Sequence, residues 1–272
     1  VTRPELVDVP GGTTVIGSDR HYPEERPARE VVVGPVAVAR TPTTVAQFAG
    51  FVAATGYRTR AERDLGGSAV FTPPRGPVDL RDPAGWWTWV PGTSWQHPLG
   101  PGTVPDDEHP VTHVVVEDAL AYCAWAGLRL PSEREWEHAA RGGLAGADYA
   151  WGDDARPGGD VPAVVWRGQF PWRPDGVAGT RPVGTYPPNG HGLYDVIGNV
   201  WELVDTAWSA QHPSSPCCAP SDATGAIAVV AKGGSFLCSD DYCSRYRPAA
   251  RIPVATDSPT AHVGFRCASG AL

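Results

Sequence analysis

Lys232-Gly233-Gly234-Ser235-Phe236-Leu237-Cys238-Ser239-Asp240-Asp241-Tyr242-Cys243-Ser244-Arg245-Tyr246-Arg247 places two cysteines five residues apart in a run rich in glycine, hydroxyls, aromatics and arginines. A purely structural segment rarely gathers so many reactive and polar types. Two thiolates close together are strong ligands for a soft ion such as Cu(I), and they are also a redox pair. Arg245 and Arg247 favour the thiolate forms by Coulomb attraction. A structural disulfide closing a short loop is the competing reading, because Cys-x4-Cys is less diagnostic than Cys-x2-Cys.

Outward from this run, residue usage is uneven. Lys232 is the only lysine among 22 basic residues, and Asn189 and Asn199 are the only asparagines. A coding bias that drains Lys, Asn and Met spared these positions, which points to side chains without a ready substitute. Asn tolerates left-handed backbone and offers a carbonyl ligand. Three helices are expected. Residues 45–55 follow Thr44 as N-cap and stop at Gly56, with Phe48, Phe51, Val52 and Thr55 on one face. Residues 117–126 open on Glu117 and Asp118 and stop at Gly127. Ser132 and Glu135 form a capping box for a helix running to about Arg141. Strands are expected at 30–38, 111–116, 226–230 and 261–267, whereas 63–107 and 150–188 read as ordered irregular segments. The pattern implies one α+β domain over residues 1–272 with little regular structure.

Composition excludes several classes. The 42% hydrophobic content supports a packed core. With 32 Gly and 29 Pro and no low-complexity run, the chain is expected to have many turns and long ordered loops. Eleven tryptophans supply rigid apolar area, some of it for a groove that takes an extended partner. A net charge of −8 argues against nucleic-acid binding. No apolar run reaches a membrane span and no charged-then-apolar leader opens the chain, so no membrane association and a bacterial cytoplasmic location are expected.

Asp195 and Glu202 flank Gly198 and Asn199. Two hard carboxylates around a glycine-bearing turn suit Ca2+. His109 and His113 do not make an iron site: Val114 and Val115 follow with no Glu, and the segment reads as a strand. No histidine is expected near Cys238 and Cys243. No phosphate loop, dinucleotide fingerprint or nucleophile elbow is present. Six cysteines allow 15 pairings, and the adjacent Cys217 and Cys218 would bridge each other only with strain.

The cysteine run resembles the active-site segment of the formylglycine-generating enzymes, most closely the actinobacterial ones. Four further stretches carry the resemblance. These are Val9-Pro10-Gly11-Gly12 with Ile16-Gly17-Ser18, and Ala124-Trp125-Ala126-Gly127-Leu128-Arg129-Leu130-Pro131-Ser132-Glu133 with Glu135-Trp136-Glu137. The others are Asn189-Gly190-His191-Gly192-Leu193-Tyr194-Asp195 with Gly198-Asn199-Val200-Trp201-Glu202, and Gly264-Phe265-Arg266-Cys267. These mark a wider superfamily; the Cys238/Cys243 pair marks its oxidase branch. The resemblance implies a compact fold related to C-type lectins and a monomer. It implies a copper-dependent oxidase that uses O2 to convert a cysteine to Cα-formylglycine. The substrate cysteine lies in an unfolded sulfatase segment with a Cys-x-Pro-x-Arg motif. Cys238 and Cys243 would hold Cu(I), and the substrate thiol would join as a third thiolate. The resulting thioaldehyde would hydrolyse with release of sulfide. Ser235, Tyr242 and Arg245 would line the oxygen and substrate pocket, with Trp201 as a wall.

By the same resemblance, Asp195 and Glu202 with the carbonyls of Gly198 and Val200 would hold a structural Ca2+. A second family calcium site lacks its side-chain ligand, since Val164 stands where the family has Asn, and Asp175 alone is a weak substitute. Cys123 would pair with Cys267, which in the chain-entropy account stabilises by about 4–5 kcal/mol. A non-catalytic lectin-like module with a Cys238–Cys243 disulfide, or a paralogue oxidising another thiol, are the alternatives.

Overall fold

The helices start where their capping residues dictate. The computed structural model describes residues 3–212, 223 and 225–269. Cys217 and Cys218 lie outside the described residues. In chain order, β1 (Leu6–Val9) pairs antiparallel with β4 (Val36–Ala39), and β2 (Gly12–Ile16) with β3 (Arg29–Val33). Helix α1 (Val45–Thr55) opens on a reciprocal cap: the Thr44 hydroxyl accepts from Gln47 N and the Gln47 carboxamide accepts from Thr44 N. It closes at Gly56 with φ 69°. β5 (Gly67–Phe71) pairs with β6 (Trp87–Pro91). Helix α2 (Val116–Ala126) is held at its start by Asp118, whose carboxylate accepts from Val115 N at 2.9 Å. Helix α3 (Glu133–Ala140) carries the Ser132/Glu135 capping box. After the short pair β7 (Gly168–Gln169) and β8 (Arg173–Pro174) comes a four-stranded sheet of β9 (Trp201–Ala207), β10 (Ala228–Lys232), β11 (Arg251–Ala255) and β12 (Val263–Phe265). Its order is β11-β10-β9-β12, antiparallel except for β9 with β12.

Three strand expectations need correction. Residues 30–38 are two strands in different ladders, β3 and β4, because Pro35 has no N–H to continue the first. Residues 111–115 form no ladder although all five are buried. Pro110 lacks a donor, His113 adopts φ 61°, and single bonds from Val111 N to Thr43 O and His113 N to Thr260 O replace a partner strand. The segment 63–107, expected to be irregular, contains the β5–β6 pair. The sequence also concealed β9, one of the two inner strands of the largest sheet.

The main core packs Phe48, Phe51, Tyr122, Trp136, Leu203 and Phe265 between helices and sheet. A second cluster of Phe71, Trp86, Val164, Trp166, Phe170, Phe236 and Leu237 lies beneath the cysteine run. Between helix and sheet, charge is buried in matched pairs. Lys232 Nζ donates to Glu137 Oε2 at 2.9 Å, to Glu133 Oε1 at 3.3 Å and to the Ala249 carbonyl at 3.3 Å. Arg251 binds Glu133, Arg141 binds Glu137, and Arg247 forms two 2.7 Å bonds to Glu25. These contacts fix both ends of the cysteine run, Lys232 and Arg247, to α3 and to the segment before β3. Among the described residues no helix is long and apolar enough to cross a membrane.

Candidate active site

β10 ends at Lys232, and the chain turns through Gly233 and Gly234, with φ 89° and 83°. A Cβ on Gly234 would stand 2.9 Å from the Arg245 carbonyl and 3.2 Å from Cys238 Sγ, so only glycine lets the two arms of the run close. Ser239 N donates to Cys243 O at 3.0 Å and Cys243 N to Ser239 O at 2.8 Å, which brings the cysteines together. Their Sγ atoms are 3.8 Å apart and both are free; Cys238 is buried and Cys243 half-buried. Ser235 N donates to Cys238 Sγ at 3.4 Å, while the Ser235 hydroxyl accepts from Leu237 N at 3.3 Å.

The two sulfurs are electrostatically unequal. A hydrogen bond from Cys238, together with Arg245 Nη1 at 3.7 Å, holds Cys243 down to about 6 despite its burial. Burial pushes Cys238 well above the ordinary thiol value. The Arg245 guanidinium beside Cys243 thus favours ionisation there over the more deeply buried Cys238. Arg245 is itself held: Nε and Nη2 donate to Glu24 Oε1 at 2.9 and 2.7 Å, and its guanidinium lies 3.6 Å over the Tyr22 ring.

Both sulfurs line a cavity of about 250 Å3 with Trp86, Trp87, Phe170, Trp201, Ser235, Tyr242, Arg245 and His262. Tyr242 stacks on Phe170 at 4.7 Å and meets Trp86 edge-on at 5.4 Å. On its other side Cys238 borders a polar cavity of about 340 Å3 walled by Asp160, Asp175, Asp240 and Asp241. All six residues assigned from sequence to the oxidase site thus converge: Cys238, Cys243, Ser235, Tyr242, Arg245 and Trp201. His262 corrects the expectation that no histidine lies near. Glu24, Trp86, Trp87 and Phe170 also went unread, because each reaches the site from a distant segment without a local signature.

The donor set of two free sulfurs, one already a thiolate, fits a soft d10 ion such as Cu(I) better than a hard cation. The Asp195–Glu202 loop differs. Glu202 Oε2 accepts from Trp136 Nε1 and Arg266 Nε at 2.6 and 2.5 Å, and Oε1 accepts from Arg266 Nη2 at 2.6 Å, leaving one lone pair unused. Asp195 has φ 52° and accepts from Gly184 N at 2.6 Å; burial, with Glu202 nearby, raises its carboxyl to about 6. Its carboxylate is a hard oxygen donor of the kind Ca2+ takes, although Arg266 already serves Glu202. Asn199, with φ 61°, spends its amide on Arg181 N and O at 3.1 Å each. Asn189 spends its own on the carbonyls of Ala139 and Ala140 and on His191 N and Leu193 N. Val164 packs its side chain into the second aromatic cluster. Cys123 and Cys267 are buried free thiols with Sγ atoms 3.2 Å apart.

The whole length of this arrangement is shared with known proteins. Residues 1–271 match the Sulfatase-modifying factor enzyme 1-like domain. The chain belongs to this family. The formylglycine-generating enzyme of Mycobacterium tuberculosis is 51% identical, covering 97% of both chains. That of Thermomonospora curvata is 47% identical over 98% of this chain and 94% of its own. A mouse member named inactive Cα-formylglycine-generating enzyme 2 is 39% identical over 98% of this chain and 86% of its own, so membership of the sulfatase-modifying factor family alone does not carry activity. Pseudomonas aeruginosa PvdO shares the fold, with a TM-score of 0.70 at 25% identity over 97% of this chain and 94% of its own. The α+β family fold, with few helices and a small sheet, is as the sequence resemblance implied.

Proposed function

We propose that this chain is a formylglycine-generating oxidase, converting the cysteine of a sulfatase Cys-x-Pro-x-Arg segment to Cα-formylglycine with O2. The observation that carries the reading is the free pair Cys238 and Cys243, 3.8 Å apart, with one sulfur held as thiolate in an aromatic-walled cavity. Cys238 and Cys243 would hold Cu(I), which would supply a soft centre for a substrate thiol and O2. The protein's own part is preparation. Arg245, oriented by Glu24 and Tyr22, keeps Cys243 ionised. Ser235 N bonds Cys238 Sγ and fixes its direction. Trp86, Trp87, Phe170 and Trp201 keep bulk water from the reacting sulfur and give an extended peptide apolar surface. Tyr242, whose ring is pinned by Phe170 and Trp86, brings a hydroxyl that burial keeps protonated. A calcium ion at Asp195, Gly198, Val200 and Glu202 serves structure in this reading.

The test is mass spectrometry of a Cys-x-Pro-x-Arg peptide incubated with copper-loaded protein, O2 and a thiol reductant. An aldehyde that hydrazide reagents trap is expected, and none in the absence of copper. Absence of aldehyde from protein that binds copper stoichiometrically would return the chain to the non-catalytic reading.

A further inference from the structure

The cavity holds one polar group for which the proposed reaction has no use. His262 precedes β12; its carbonyl accepts from Trp201 N at 2.9 Å, and its ring lies 4.8 Å from that of Trp87. Nδ1 sits 2.9 Å from the Thr260 hydroxyl, whereas Nε2 has no hydrogen-bond partner among the described residues. His262 is half-buried and lines the cavity. Burial, with His113 nearby, pushes the imidazole down to about 3, and it stays neutral.

We propose that His262 is a substrate-positioning residue, its Nε2–H donating to a main-chain carbonyl of the peptide bound across the cysteine pair. This rests on the oxidase reading. In this assignment the Thr260 hydroxyl donates to Nδ1, the tautomer that carries the ring proton on Nε2. An imidazole so hard to protonate is a weak general base. It is not a third metal ligand either: among the described residues, the only cluster of three metal-type side chains with ligand atoms within 4.8 Å is Glu133, Glu137 and His212. What remains is a neutral donor at the wall of an aromatic cavity. An extended peptide entering such a cavity buries its carbonyls, and each costs free energy unless it meets a donor.

The experiment compares wild type, His262→Phe and His262→Gln. One arm measures KM and kcat of the copper-loaded proteins on the Cys-x-Pro-x-Arg peptide. The other measures binding of the Ser-x-Pro-x-Arg analogue by fluorescence anisotropy, which needs no turnover. His262→Phe keeps the packing on Trp87 but removes the donor. It should weaken analogue binding and raise KM about tenfold with kcat held, the loss of one hydrogen bond. His262→Gln should recover most of that loss. Should the phenylalanine variant fail to fold, His262→Leu against His262→Gln makes the same comparison. Unchanged analogue binding in His262→Phe would overturn the assignment while leaving the oxidase reading in place. A fall in kcat with binding intact would overturn it too, placing the imidazole in the chemistry. Wild type that neither binds nor converts peptide would end both.

Discussion

At the scale of single residues, charge decides which sulfur does what. Because Cys238 and Arg245 hold Cys243 down to about 6, alkylation of Cys243 in the metal-free protein should rise through pH 6, over two units below an ordinary thiol at about 8.5. Arg245→Leu should move that inflection upward, as iodoacetamide kinetics followed by peptide mapping will show. Cys238→Ser and Cys243→Ser should each abolish turnover with an unchanged melting curve, since a hydroxyl cannot replace a soft ligand. Lys232 makes a different case. Its singularity in the sequence pointed to a side chain without a ready substitute, and the structure places it in the core, paired with Glu133 and Glu137. A compact ammonium with three donors meets three acceptors there. Burial alone would raise Glu137, yet Lys232 and Arg141 pull it from 4.5 down to about 2. A carboxylate depressed on folding adds stability above its unfolded value, lost as pH falls from about 4.5 toward 2. Lys232→Met removes the cation that Glu133 and Glu137 share and leaves each with one arginine partner, so it should cost about 3 kcal/mol and start acid unfolding at a higher pH. Circular dichroism across pH 7 to 2 reads both effects.

The elements show what sequence can and cannot disclose. All three helices were legible because Thr44, Ser132, Glu135, Gly56 and Gly127 are local signals that act within a turn. Strands were less so. β9 was hidden inside a motif read as a loop, and the valines of 111–115 imitate a strand while their neighbours forbid a ladder. The site divides the same way. Residues on the cysteine run were readable together because the chain itself brings them together. Glu24, Trp86 and His262 required the fold, since long-range contacts leave no spacing to read. The turn at Gly233-Gly234 links the two levels. Gly234→Ala would force a Cβ against the Arg245 carbonyl at φ 83°, so it should lose about 1–3 kcal/mol and shift the cysteines apart. Weaker Ag(I) binding, measured by calorimetry on the folded variant, would report the second effect; unchanged affinity would show that the loop relaxes elsewhere.

Across the whole molecule, Cys123 on α2 and Cys267 beyond β12 join the first helical layer to the end of the chain. Their side chains are 3.2 Å apart but 144 positions distant in sequence. Burial pushes Cys123 up, so thiol–disulfide exchange at this pair is slowed. Closing that loop would remove denatured-state entropy worth about 5 kcal/mol. For a chain of this size, that raises the melting temperature by about 9 °C. The measurement needs Cys217→Ser/Cys218→Ser as background, so that only two pairs can oxidise. Calorimetry with and without a mild oxidant should then show the shift, and Cys123→Ala should erase it. Cys238→Ser should leave most of the shift in place, because the short loop between Cys238 and Cys243 is worth only about 2 kcal/mol. A melting temperature that rises only when Cys238 and Cys243 are both present would transfer the stabilising bridge to the active pair, and would then oppose the copper site as well as the long-range link.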